Sequence, residues 1–283
     1  MARVIHVNTP LLVVIGTGLI GSSFAKGARE QGLFNTIVGI EPDAERAERA
    51  RTLGIVDEIA TSVDPDADAV LIAGPSDTIA DWVIRLSEHA GVVFDVGSVK
   101  SAILESARTS LAGIPPRFIP CHPIVGSERQ GPEAAEGSLF AEHKVVITPH
   151  ADIDPDALAL VTGWWQQLGA KVHQMEVSVH DRVLALTSHL PHLLAFAYLQ
   201  QIDAEHLEFA GGGFRDFTRI GASDAALWSA IFALNKTPLL EALDQFERSL
   251  GNMRTALEAG DTNAVQRIIH AAQQRRLEFE QHE

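Results

Sequence analysis

Sulfur is scarce in this sequence. Cys121 is the single cysteine among 283 residues, which excludes an internal disulfide and fits a reducing compartment. Long apolar runs are missing as well. The N-terminus, Met1-Ala2-Arg3-Val4-Ile5-His6, has no extended apolar core, so no signal peptide is expected. The most apolar later stretch, Val183 to Leu199, is interrupted by Ser188, His189, Pro191 and His192, too short and too polar to span a bilayer. Positive charge is in deficit: 22 Lys and Arg against 37 Asp and Glu give a formal net charge of −15. This argues against nucleic acid or an anionic membrane as partner. A cytoplasmic protein is expected. An anionic ligand would need a local cluster of cations, because the global field repels it. Internal repeats and low-complexity tracts are absent too.

What is there begins with glycine. Five apolar residues, Leu11 to Ile15, run straight into Gly16-Thr17-Gly18-Leu19-Ile20-Gly21, and a small-residue segment from Ser22 to Ala28 runs out. That pattern reads as a buried strand, a tight turn and a helix start. A second apolar run, Ile37 to Ile40, ends on Glu41, 20 residues beyond Gly21. This is the spacing of a dinucleotide-binding fingerprint. Gly16 permits the turn, Gly18 lets the backbone approach a pyrophosphate, and Gly21 allows close helix–strand packing. The helix N-terminus offers free N–H groups to the phosphates. Glu41 suits the ribose 2′-hydroxyl of NAD and repels a 2′-phosphate, and no arginine follows immediately. NAD is therefore the expected cofactor, with no metal.

Apolar runs at Leu11–Ile15, Ile37–Ile40, Ala69–Ala73, Val92–Val96, Arg117–Ile119 and Lys144–Ile147 alternate with helical segments such as 43–53 and 78–89. Lys171–Met175 adds one more strand. The alternation predicts an α/β fold, a Rossmann-like doubly wound parallel sheet with helices on both faces. From about Ser178 helical patterns take over, so a dinucleotide-binding domain is placed at 1–177 and an all-α domain at 178–283. The clearest helix there starts at Thr237-Pro238, with Thr237 as N-cap. Leu239, Leu243, Phe246, Leu250, Met253 and Leu257 follow at alternating spacings of four and three, an a/d seam. A small helical domain has little core of its own, so pairing with a second copy through these helices is expected over packing within one chain.

In an open α/β sheet, ligands bind beyond the carboxyl ends of the strands. Three such ends carry chemistry: Gly74-Pro75-Ser76, Gly97-Ser98-Val99-Lys100 and Cys121-His122-Pro123. Pro75 falls near a bound dinucleotide. Ser98 reads as a helix N-cap that can also touch a ligand. His122, in the loop from Cys121 to Glu128, suits a proton acceptor at neutral pH. A Cys121–His122 nucleophile is disfavoured, because adjacent strand residues face opposite ways. His189 and His192 share a helix face, but no carboxylate or cysteine stands at ligand spacing beside them. Arg215 and Arg219, beside the run Gly211-Gly212-Gly213, can clamp a carboxylate.

The ordered set at 16–21, Asp-Val-Gly-Ser-Val-Lys at 95–100, His-Pro-Ile-Val-Gly-Ser-Glu at 122–128, Leu139-Phe140, Ser-His-Leu-Pro-His at 188–192, Gly-Gly-Gly-Phe-Arg-Asp-Phe-Thr-Arg-Ile at 211–220 and Ser223-Asp224 with Trp228 resembles the prephenate/arogenate dehydrogenase family. The resemblance implies NAD-dependent oxidative decarboxylation of prephenate or arogenate, a small dicarboxylate substrate, and a homodimer built through the helical domain. By motif position it implies that His122 accepts a hydrogen bond from the substrate hydroxyl and that Ser98 shares it. It further implies that His192 and Arg219 hold carboxylates, that Glu128 is a further acid of the pocket, and that Trp228 walls it. No regulatory domain is visible after the helices and no fused mutase before the first strand. A β-hydroxyacid dehydrogenase is the enzymatic rival, but it needs a catalytic lysine in the helical domain. Lys236 is the only lysine after Lys171 and lies outside any catalytic-looking motif. A non-catalytic NAD-binding regulator would have no need of Ser98, His122, His192 and Arg219 together.

Overall fold

Branched aliphatic runs become strands because their side chains pack on both faces of a pleated ladder. The computed structural model describes residues 10–125 and 129–280. Strands β1 (Leu11–Ile15), β2 (Thr36–Ile40), β3 (Glu58–Ile59), β4 (Ala69–Ile72), β5 (Val92–Asp95) and β6 (Phe118–Ile119) form one parallel sheet in the order β3-β2-β1-β4-β5-β6. The order reverses between β1 and β4, the doubly wound arrangement.

Helices α1 (Leu19–Glu30), α2 (Ala44–Thr52), α3 (Ile79–Arg85) and α4 (Ser101–Leu111) lie between these strands in the chain. Alternation along β1 divides the core in two. Leu12 and Val14 pack with Phe24, Phe94 and Trp165, while Val13 and Ile15 pack with Ile79, Val83 and Ile103. On the first face the rings of Phe24 and Trp165 meet edge to face, with centroids 4.9 Å apart. Burying one such ring stabilises by roughly 1.5–3 kcal/mol.

Two expected strands leave this sheet. β8 (Lys144–Ile147) pairs antiparallel with β7 (Cys121–Ile124) and parallel with β9 (Lys171–Gln174), which makes a second sheet of three strands. The chain crosses between sheets at Pro120, which has no N–H to extend a ladder. His122 therefore sits on a strand instead of in a loop. Pro123 is tolerated beside it because β7 is an edge strand. Helix α5 (Pro155–Gln167) runs between β8 and β9, with the Asp154 carboxylate accepting from its first N–H groups.

Beyond β9 the chain is helical. Helix α6 (Val177–Leu184), a π turn at Ala185–His189 and α7 (Leu190–Leu199) form one continuous run. Pro191 removes a backbone donor from this run, and the wider turn ahead of it absorbs the loss. Helices α8 (Gly212–Thr218) and α9 (Ala225–Leu234) follow. Among the described residues no helix is long and apolar enough to cross a membrane.

Contacts divide the chain into two units, Met1–Asn235 and Lys236–Glu283. The second holds α10 (Lys236–Glu258) and α11 (Thr262–Glu280), packed on each other. Helix α10 begins at Lys236, so Thr237 lies inside the first turn and is not its cap. Pro238 fits there because first-turn N–H groups have no acceptor within the helix. Leu250 and Leu257 of the expected seam are 57% and 62% exposed.

Candidate active site

Gly16 follows β1 with φ +93°, a left-handed conformation. A Cβ there would lie 2.6 Å from the Ala73 carbonyl oxygen, and one on Gly21 would lie 2.2 Å from the Gly16 carbonyl oxygen. Close packing demands glycine at both positions. At Gly18 a Cβ would meet nothing within 4 Å. That open space lies at the start of α1, where no side chain caps the helix. A pyrophosphate fits such a cradle, since the free N–H groups and the dipole face it.

Glu41, just past β2, turns its carboxylate under this loop. Its Oε2 accepts from the Thr17 N–H at 3.0 Å and the Thr17 hydroxyl at 3.3 Å. Its Oε1 accepts from the Asp43 N–H and from Arg46, each at 3.2 Å. The acid braces the glycine turn, and Arg46 neutralises it from five residues downstream. Pro75 is exposed in the turn after β4, where its carbonyl accepts from the Thr78 hydroxyl at 2.8 Å.

The register of β1, β4 and β5 aligns Ile15, Ile72 and Asp95, so the glycine turn and Asp95 share one carboxyl edge. Asp95 and Lys100 are both fully buried and ion-paired. Such a pair costs desolvation energy unless its other bonds are filled. Here the Gly97 N–H at 2.9 Å and the Cys121 N–H at 3.1 Å complete the Asp95 carboxylate. Burial, together with the Asp95 charge, pushes the Cys121 thiol up, which leaves it inert. The Cys–His nucleophile is thereby removed.

Ser98 is half-buried between β5 and α4, but it is not the cap of that helix. Asp181 of α6 serves instead. Its Oδ1 accepts from the Lys100 N–H at 3.0 Å and its Oδ2 from the Ser101 N–H at 2.8 Å. Beside it, His180 Nδ1 lies 2.8 Å from Asp181 Oδ1, and His180 Nε2 lies 2.9 Å from His122 Nδ1. Burial, then the neighbouring His180, Lys100 and His189, hold His122 well below the ordinary imidazole range, so it is neutral.

The other groups come from the helices. Asn235 donates to the Asp181 carbonyl and to His189 Nδ1, each at 2.9 Å. Burial pushes His189 down to about 4, against the pull of Asp181. His192 spends Nδ1 on the Ser188 carbonyl at 2.9 Å, and its ring stacks on Trp228 with centroids 3.5 Å apart. Burial lowers the His192 pKa, the Ser188 carbonyl raises it, and Arg219 lowers it. Among the described residues no group of three or more His, Cys, Asp and Glu side chains is arranged to hold a metal ion.

The structure thus brings His122, His180, Asp181, Asn235 and His189 into one bonded set, with His192 and Trp228 stacked nearby in the chain and Arg219 acting on His192. Glu128 lies outside the described residues. Sequence reading missed Asp95, Lys100, His180, Asp181 and Asn235. Asp95 and Lys100 stood at the ends of a recognised run. The adjacent pair His180-Asp181, on an otherwise apolar helix face, was the one local signal for the rest.

A glycine turn opening a helix, an acid under it and a doubly wound sheet define a dinucleotide-binding protein. The chain belongs to the prephenate dehydrogenase family: the family's nucleotide-binding domain matches residues 24–174 and its dimerization domain residues 176–271. It is 30% identical over 279 residues to the cyclohexadienyl dehydrogenase of Zymomonas mobilis, with 94% of each chain covered. It is 32% identical over 276 residues to the prephenate dehydrogenase of Bacillus subtilis, covering 92% of this chain and 74% of that one. The crystal structure of Aquifex aeolicus prephenate dehydrogenase with hydroxyphenyl propionate and NAD+ superposes with a TM-score of 0.88 at 32% identity, covering 97% of this chain and 99% of that one.

Proposed function

We propose that this chain catalyses the NAD-dependent oxidative decarboxylation of prephenate to 4-hydroxyphenylpyruvate, or of arogenate to tyrosine, in tyrosine biosynthesis. The observation that supports this most is a neutral, buried histidine, His122, joined through Cys121 and Asp95 to the carboxyl edge that bears the glycine turn.

Gly16, Thr17, Gly18, Leu19, Ile20, Gly21, Glu41 and Pro75 hold NAD, which supplies the hydride acceptor. His122 accepts a hydrogen bond from the substrate's ring hydroxyl, and Ser98 shares that hydroxyl. Withdrawal of the proton toward His122 raises electron density on the ring carbon as its hydride departs. The ring carboxylate leaves as CO2, its bonding pair enters the ring, and the ring becomes aromatic. The proton stays with the phenolic oxygen, so the sum is loss of hydride and CO2 from the substrate. Aromatisation supplies the driving force, so the residues are asked for orientation and charge placement more than for a nucleophile. Arg219 and His192 hold carboxylates, Trp228 walls the ring, and Glu128 serves as a further acid.

The nucleotide-binding domain is 1–177, and 178–283 is the substrate and dimerisation domain of a cytoplasmic homodimer. Leu250 and Leu257, exposed on α10, support pairing of two copies through the C-terminal helices. The test mixes protein and NAD with prephenate and then with arogenate while NADH absorbance is followed. Silence with both substrates sinks the reading.

A further inference from the structure

We propose that Asp181 and His180 are positioning residues that fix the tautomer of His122 and leave its Nε2 as the bare, proton-accepting nitrogen. The role follows from hydrogen-bond polarity along three side chains. Asp181 is held by two backbone donors at the start of α4, the Lys100 N–H on Oδ1 and the Ser101 N–H on Oδ2. Burial works to raise its pKa, but the bonds from His180, Ser101 and Lys100 lower it overall, so the carboxylate is ionised. An ionised carboxylate only accepts. At 2.8 Å its partner, His180 Nδ1, must therefore carry the proton. With that proton on Nδ1, the His180 tautomer presents a lone pair at Nε2. At 2.9 Å that lone pair requires a proton on His122 Nδ1. A neutral His122 with its proton on Nδ1 has Nε2 bare.

The charges around the histidine are consistent with this. His122 is faced by His180 from α6, Lys100 from the β5–α4 turn and His189 from the π turn. Lys100 is itself neutralised by Asp95. Asp181 is thus the acid whose charge reaches His122 through a ring, and it offsets the positive charge that builds as His122 takes up proton density. Asn235, donating to the Asp181 carbonyl at 2.9 Å, ties α6 in place from the far end of α9.

The inference rests on the reading of His122 as proton acceptor, and its test separates the two. Long-range proton–nitrogen NMR on the 15N-histidine-labelled protein, with the H122N variant giving the assignment, reads which ring nitrogen is protonated. A protonated Nδ1 and bare Nε2 on His122 is expected, and the reverse overturns the proposal whatever the activity. Kinetics supply the second arm. In H180Q the amide oxygen can still accept from His122 Nδ1, so kcat stays within about tenfold; in H180L no acceptor remains, and kcat falls by about 10²–10⁴-fold, the range of a lost general base. KM and NADH affinity stay level in both, which shows that the fold and the binding surfaces survive. Equal kcat in H180Q and H180L overturns the proposal. Full turnover by H122N overturns the role of His122 in the reaction, and the positioning role with it, while the measured tautomer stands.

Discussion

The imidazole of His192 lies nearly parallel to the indole of Trp228, at 18° and 3.5 Å between centroids. Trp228 is also 9% exposed and touches Phe196 and Phe232, so it packs the helices as well as the His192 ring. Stacking fixes the His192 ring in one plane. W228F keeps an aromatic face and should leave KM for the substrate within a few-fold. W228A should raise KM by about tenfold and cost about 3–5 kcal/mol of stability. Steady-state kinetics and thermal unfolding of both variants check this, and equal KM values would refute the stacking role.

His192 makes a second, pH-dependent prediction. Its Nδ1 proton is committed to the Ser188 carbonyl, so the neutral ring presents a lone pair at Nε2. A carboxylate bound there requires the imidazolium. Substrate binding should therefore take up a proton near neutral pH, and KM should rise as pH increases above the pKa of His192 in the free protein, which burial holds below the ordinary histidine value. Calorimetry in two buffers of different ionisation enthalpy measures the uptake. Zero uptake would remove His192 as a carboxylate ligand.

Arg219 acts on His192 and pairs with the substrate in both ground and transition states under this mechanism. R219A should raise KM by about 100-fold, the loss of a charge-assisted bidentate contact, with a smaller effect on kcat. R219K should recover only part, since a lysine offers a point charge in place of a planar fork. A drop in kcat alone would contradict the assignment.

Glu41 is predicted to choose the cofactor. Its carboxylate balances Arg46 at 3.2 Å and holds the Thr17 N–H at 3.0 Å. In E41S the acid is gone and Arg46 is released to meet a 2′-phosphate. kcat/KM with NAD should fall by about 10–100-fold and the preference should move toward NADP. Parallel kinetics with both cofactors read the ratio, and an unchanged ratio would refute the role.

Stability should decline on mild acidification. His189 is pushed down to about 4 by burial, and His122 lies well below its usual range. A histidine whose folded pKa is depressed binds protons more readily when unfolded. Its stabilising contribution is whole above about pH 6.5 and is lost as pH falls toward the folded value. For His189 the full loss is about 3 kcal/mol, reached near pH 4. Urea unfolding at stepped pH measures the slope. H189Q should flatten part of it, and a slope equal to that of the parent protein would refute the assignment.

Much of the nucleotide half was legible because its determinants are local. The glycine spacing, the apolar strand runs and the helical segment at 43–53 each rest on residues close together in the chain, and the glycine turn, β1 and α2 (Ala44–Thr52) appear where expected. The second sheet was not legible. Lys144–Ile147 has the same apolar pattern whichever sheet it joins, and only Pro120 marks the crossing. Ser98 looked like a cap because capping by a residue 80 positions away, Asp181 on the Ser101 N–H, has no local signature. The bonded line from Asp181 to His122 spans 58 residues between the two histidines, so only coordinates reveal it. Thr237 failed as a cap because α10 starts at Lys236, two residues earlier than the Thr-Pro signal implies.

The crossing at Pro120 has a mechanical consequence. The glycine turn rides on the six-stranded sheet, and His122, the proposed proton acceptor, rides on the three-stranded one. At that point the backbone and the clasp between Asp95 and the Cys121 amide join the two rafts, over a shared core that packs Leu12, Val14 and Phe94 with Cys121, Val145 and Ile147. A slip of one raft against the other would alter the reach from imidazole to oxidant while leaving every ligand contact within each raft intact. Damage at this seam would therefore surface as slow turnover in an enzyme that still binds both of its partners well.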